Sequence, residues 1–340
     1  MTFNGFRAAR RLVLVGTTLV LATCVTTIAS KHPRSTPAAT GAVSSTPGTA
    51  SGRAGTRALS STSTSASPTP STAAVAAASP NRPCGTTSLP PSHYKHVVWI
   101  WMENHDWGSV IGSPSAPYIS TLAHDCGTDA KWSAVGSPSL PNYLGATSGS
   151  TQGVTDDGDP GAHSFTADNL FRQVRAAGGS ERSFVESMRG NCAQVSQDSY
   201  AVKHNPAVYY DGPGDRAACH ADDVPFGAFS LVLAGGNLPT YTSITPNICD
   251  DMHDCSVAAG DRWLARWVPR ILATASYESG TTALFVVWDE PTPLANVVVS
   301  PSVRAGTVSD VAVDQFSLLR ATEEMLGLPF RILSHLSRDL

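Results

Sequence analysis

The chain has 340 residues, a formal net charge of −4 and seven cysteines. The acidic balance, with no run of Lys or Arg after residue 83, argues against a general nucleic-acid binder. Six of the cysteines follow residue 83, an even number that suits three disulfides in an exported chain. Residues 1–30 open with Arg7, Arg10 and Arg11, then run apolar from Leu12 to Ala29. That order marks a secretory signal or an N-terminal anchor and an extracytoplasmic destination, secreted or at the cell envelope. Gly16, Thr17, Thr18 and Thr23 interrupt the run and favour a signal, with cleavage near Thr27-Ile28-Ala29. A retained anchor and a lipid anchor at Cys24 are the alternatives. Residues 31–83 are Ser, Thr, Ala, Pro and Gly with almost no large apolar side chain. Such a stretch buries too little surface to offset chain entropy and reads as a disordered linker. Residues 84–340 remain as one folded domain.

Within that domain, His96–Met102, Ala283–Trp288 and Ala295–Val299 are short continuous apolar runs. Without alternation they predict strands buried on both faces, as in a parallel sheet. Trp263, Leu264, Trp267, Val268, Ile271 and Leu272 share one face of a helix predicted over Asp261–Tyr277. Further helices are predicted over Asn169–Ala177 and around Phe316–Met325, and a strand over Thr240–Thr245. Strands alternating with helices give an α/β fold, a mostly parallel central sheet with helices on both faces. Gly153–His163, polar and rich in Gly and Pro, reads as a loop over the functional face.

Two buried strands run straight into acidic pairs, Glu103-Asn104 and Asp289-Glu290. Ligands of open α/β sheets collect at the carboxyl ends of strands, so neighbouring strands would join these pairs in an oxygen-rich cation site. Carboxylate and amide oxygens are the ligands of a hard divalent ion such as Ca or Mg. Either pair alone reads equally well as a solvated strand end. In Gly136–Tyr143, Pro141 fits the first turn of a helix and sets Ser139 at or near its N-cap. The free amides of such a helix start favour phosphate, and a serine there is a candidate nucleophile or an ordinary cap. Neighbour pairing of the cysteines, Cys84–Cys126, Cys192–Cys219 and Cys249–Cys255, is the simplest arrangement. The last of these closes a loop that holds Asp251 and His253, and His253 there can donate a proton or contact phosphate. His204, in Lys203-His204-Asn205-Pro206, is a second such histidine.

Taken in order, these pieces resemble the bacterial phosphoesterase family of exported acid phosphatases and phospholipases C, within the alkaline-phosphatase-like superfamily. The matching residues are Glu103-Asn104, Ser139 to Tyr143 with Thr147-Ser148-Gly149, Glu186-Ser187-Met188, His204-Asn205-Pro206, Pro246 to Asp254, and Trp288-Asp289-Glu290. The resemblance implies a metal held by Glu103, Asn104, Asp289 and Glu290. It also implies Ser139 as nucleophile through a phosphoserine-like intermediate, with His204 and His253 as phosphate contacts or proton donors. The substrate it implies is a phosphate ester, phospholipid headgroups included, with membrane contact confined to the N-terminal segment if that is retained. Two departures stand out. No histidine follows Glu290 before the next strand, and Gln315 stands where relatives usually carry histidine. Three readings follow: a phosphomonoesterase, a phospholipase C-type phosphodiesterase, and an inactive envelope-binding homologue.

Overall fold

The computed structural model describes residues 80–330; the segment at 1–30, nearly all of the linker at 31–83 and residues 331–340 lie outside it. The strands, in chain order, are β1 (His96–Met102), β2 (Gly127–Asp129), β3 (Trp132–Ser133), β4 (Glu181–Val185) and β5 (Asp223–Pro225), followed by β6 (Tyr241–Thr245), β7 (Thr282–Trp288), β8 (Val297–Val299), β9 (Thr307–Ser309) and β10 (Val313–Asp314). The helices are α1 (Trp107–Val110), α2 (Pro117–Asp125), α3 (Ser139–Ser148), α4 (Leu170–Ala176) and α5 (Asp215–Asp222), then α6 (Phe229–Gly235), α7 (Val257–Leu272), α8 (Ala275–Glu278) and α9 (Gln315–Met325).

One eight-stranded sheet runs β5-β4-β6-β1-β7-β8-β2-β9, with helices packed around it. Strands β5, β4, β6, β1 and β7 are parallel. β7 is buried at every residue and β1 at all but its first, which is why their sequences are uniformly apolar. They pair in register from His96↔Thr282 to Met102↔Trp288. Glu103 and Asp289 therefore leave the sheet side by side at one edge.

The far side of the sheet departs from an all-parallel plan. β8 runs antiparallel to β7, because residues 289–296 are too few for a crossover. Asn296 Oδ1 closes this turn by accepting from the Trp288 amide at 2.7 Å, and the expected strand at Ala295 starts only at Val297. The helix expected over Asp261–Tyr277 also divides. α7 starts four residues earlier and stops at Leu272, and Thr274 then caps the separate α8 by accepting from the Tyr277 amide. The three disulfides join Cys84–Cys126, Cys192–Cys219 and Cys249–Cys255, the neighbour pairing.

α3 is buried at every position. Gly145 lets it lie against α9, since a Cβ there would come within 2.7 Å of Val135 and 3.3 Å of Phe316. The helix ends at Gly149, whose φ of 67° is the left-handed turn glycine adopts without strain.

Candidate active site

Ser139 is the first residue of α3, and Pro138 occupies the cap position without a side-chain hydrogen bond. The serine hydroxyl is therefore not a helix cap. It is 1% exposed and donates to Glu103 Oε2 at 3.2 Å. Tyr143, one turn along α3, donates to the other oxygen of the same carboxylate, Glu103 Oε1. The Leu140 amide, which a cap would have served, instead donates to Asp157 Oδ1 at 3.0 Å. Asp157 comes from the loop predicted to cover this face.

Glu103 and Asp289 are both fully buried. The Asn104 backbone amide, on a residue with φ of 52°, donates to Asp289 Oδ1 at 3.2 Å. Asp289 Oδ2 is buried with no partner. Burial raises the pKa of Glu103 far above the carboxylate range, and the charges of Asp289 and Asp251 add to this. Burial likewise lifts Asp289 to about 6 and Asp251 to about 7. Three crowded, desolvated carboxylates and an orphaned oxygen are the arrangement a hard cation relieves, so the residues present fit such an ion.

His204 ends a 3₁₀ turn at Val202–His204 and is 1% exposed. Its Nδ1 lies 3.1 Å from Asp251 Oδ2, while Nε2, without a hydrogen bond, lies 3.4 Å from Glu103 Oε2. Burial first, then the neighbouring charge of Lys203, lowers its pKa, so the ring is neutral. Donation from Nδ1 to the Asp251 carboxylate leaves an Nε2 lone pair turned to the site. Asp251 Oδ1 also accepts from the His253 amide at 2.8 Å, so one side chain fixes both histidines. The His253 ring is engaged at each nitrogen, Nδ1 with Asp254 Oδ1 at 2.7 Å and Nε2 with Lys203 Nζ at 3.3 Å. Lys203 also donates to Asp157 Oδ2 at 2.9 Å. Burial alone would lower its pKa, but Asp157, Glu103 and Asp289 outweigh this and leave it raised. The ammonium is thus the donor, and His253 Nε2 accepts.

The fold brings together Ser139, Glu103, Asp289, Asp251, His204 and His253. Asn104 takes part through its backbone amide, and half-buried Glu290 makes no hydrogen bond or ion pair among the described residues. Glu103, His204 and His253 each bring a ligand atom within 4.8 Å of the others, a second potential ligand set that shares Glu103. Cys192, Cys219 and Asp223 also cluster, but these sulfurs are joined in a disulfide. Tyr143, Lys203 and Asp157 are the residues whose place at the site sequence reading did not assign. All three lie within segments already singled out, but only the fold aims them. Gln315 donates from Nε2 to the Trp288 and Asp289 carbonyls, both at 3.2 Å, and so braces the end of β7.

A buried serine on a helix start thus faces acidic residues at the carboxyl edge of a parallel sheet, and the relatives of the chain make it a hydrolase of phosphoric esters. The chain is a member of the Phosphoesterase family, whose model matches residues 114–293. A phosphatidylinositol-3-phosphatase of Mycobacterium tuberculosis is 32% identical over 259 residues, 74% of this chain and 83% of that protein. An acid phosphatase of Aspergillus fumigatus is 26% identical over 252 residues, 69% of this chain and 56% of the fungal protein. Among solved structures, the lipoteichoic acid synthase LtaP from Listeria monocytogenes shares the fold at a TM-score of 0.51 and 8% identity, over 76% of this chain and 77% of that one.

Proposed function

We propose that this phosphoester hydrolase is an exported phosphomonoesterase that uses Ser139 as its nucleophile and requires a divalent cation. The observation that carries the reading is the Ser139 hydroxyl, freed from capping and donating to a buried carboxylate beside the unpartnered Asp289 Oδ2. Glu103 and Asp289 would hold the cation, with the Asn104 amide positioning the Asp289 carboxylate. Oxygen ligands suit it better than the Glu103–His204–His253 set, where His253 Nε2 is already occupied by Lys203. When bound, the cation supplies charge stabilisation at the phosphoryl oxygens.

The residues of the chain divide the remaining work. In its ionised form, Glu103 takes the proton of Ser139 on Oε2 as the Oγ–P bond forms and the bond to the leaving oxygen breaks. Lys203 Nζ, held by Asp157, offers its ammonium to the phosphoryl oxygens. His253 Nε2 accepts from Lys203 Nζ, so His253 holds that ammonium in place. The departing alkoxide takes a proton from solvent and leaves as the alcohol; water then attacks phosphorus, the Oγ–P bond breaks, and Ser139 Oγ recovers its proton from Glu103. His204, with its Nε2 lone pair toward the site, can take up the proton of that water.

The acid phosphatase and phosphoinositide phosphatase relatives support a monoester substrate, with a phosphorylated lipid headgroup within the class. The apolar N-terminal segment and the three disulfides support export. The test is a panel of phosphomonoesters and phosphodiesters assayed with and without chelator, followed by acid quench. Free phosphate, chelator sensitivity and label mapped to Ser139 are expected. A phosphorylated headgroup as product would make the enzyme a diesterase, and full turnover in metal-free, chelated enzyme would remove the cation.

A further inference from the structure

α7 carries Arg262, Arg266 and Arg270, all exposed and one helical turn apart. None has an acidic partner among the described residues, although the chain as a whole is acidic. The one acid on α7, Asp261, is buried and spent on the amides of Tyr118 and Ile119. Arg266 and Arg270 both lie over the Trp267 ring, at 5.3 and 4.7 Å from its centroid. That same ring packs on Phe226 and Phe229, which anchor α6. α6 has no charged residue, and it leaves Leu231 77% exposed, the most exposed large apolar side chain among the described residues. The chain enters α6 from the carboxyl end of β5, the sheet edge that also carries Glu103 and Asp289. β5 is three strands from β1, about 14 Å along that edge.

We infer that the joined face of α6 and α7 docks on an anionic lipid bilayer. The unpaired arginines complement anionic headgroups, the Trp267 ring holds two of them in place, and Leu231 enters the acyl boundary. Because α6 and α7 both begin at the catalytic edge, docking would bring the site near esters held in the membrane surface. Binding needs no turnover, so it stands apart from the catalytic reading.

The test is co-sedimentation of the full chain with vesicles of phosphatidylcholine and phosphatidylserine, against pure phosphatidylcholine, which measures any contribution of the N-terminal apolar segment. The increment on anionic vesicles is expected to shrink in high salt. At about fivefold per arginine, it should fall about 100-fold when all three become glutamine. Arg→Lys at the three positions keeps the charge and should retain binding, and Leu231→Ser should weaken it. Turnover of a soluble monoester reports folding of each variant and should be unchanged. An anionic increment that is absent in the wild type, or unchanged in a folded glutamine variant, overturns the proposal. Ser139→Ala should bind like wild type, so a failure of the nucleophile assignment stays separate.

Discussion

A hydroxyl on the first turn of a helix ordinarily satisfies an open backbone amide, and Ser139 declines that role. Asp157 serves the Leu140 amide, and the serine turns to Glu103. Ser139→Ala should therefore leave the melting temperature nearly unchanged, within about 0.5 kcal/mol, while turnover falls on the order of 10⁴-fold. Steady-state kinetics beside calorimetry checks this, and a variant that keeps near-wild-type turnover ends the covalent mechanism. Lys203 is the residue whose chemistry is least evident from its neighbours in the chain. It lies between Asp157 and His253, and its raised pKa keeps it cationic. Lys203→Met should lower kcat/KM about 100-fold, with partial recovery in Lys203→Arg. Equal losses in both variants would mean that the lysine is only a packing element.

At the scale of elements, the fold ties distant helices through side chains that do not belong to the helix they serve. α2 begins at Pro117 with no cap from Ala116, and Asp261 of α7 accepts from the Tyr118 and Ile119 amides at 3.1 and 2.9 Å. Asp261→Ala would strand two amides under the helix and should cost about 2–3 kcal/mol, read from denaturant midpoints. A loss below ~0.5 kcal/mol would show that water replaces the carboxylate. The Cys249–Cys255 loop is another such tie, since it holds Asp251, and Asp251 holds both histidines. Mild reduction should lower activity before the domain unfolds, followed by turnover and near-ultraviolet dichroism on one sample. Coincident loss of the two would make this disulfide a general staple.

For the whole molecule, buried carboxylates away from the serine set the response to pH. Burial lifts Asp223 from 3.8 to about 7, and lifts Glu181 from 4.5 to about 7 against the opposing pull of Arg175. In the folded chain both hold a proton more tightly than in the unfolded chain. Their contribution to stability is complete below their unfolded pKa values, falls as pH rises from about 4 to about 7, and is then exhausted. The melting temperature should decline across that window, and Asp223→Asn should flatten the decline. A melting temperature that instead climbs through the window would contradict these assignments. At the catalytic edge the crowded carboxylates have pKa values raised in the same direction, and a bound cation would relieve their repulsion, so its removal should lower the melting temperature of wild type but not of Asp289→Asn.

Much of this architecture is legible in the sequence because it is local. Apolar runs without alternation mark β1 and β7, an apolar stripe marks α7, and cysteines that pair with their nearest neighbours need no long-range information. The acidic pairs at the strand ends are likewise visible, as is the order of motifs that resembles the phosphoesterase family. Other features depend on separations of many residues. The in-register pairing of β1 with β7 sets Glu103 beside Asp289, and burial then makes them basic in a way that composition cannot express. β8 reads as one more parallel strand until the short turn at 289–296 forces it antiparallel. The arginines of α7 form no run in the chain and become a continuous face only through the helical repeat. Hydrogen bonds between residues 103 and 139, 157 and 203, and 203 and 253 complete the site. Only packing brings such pairs within reach, because side-chain direction is set by what surrounds it and not by position along the chain.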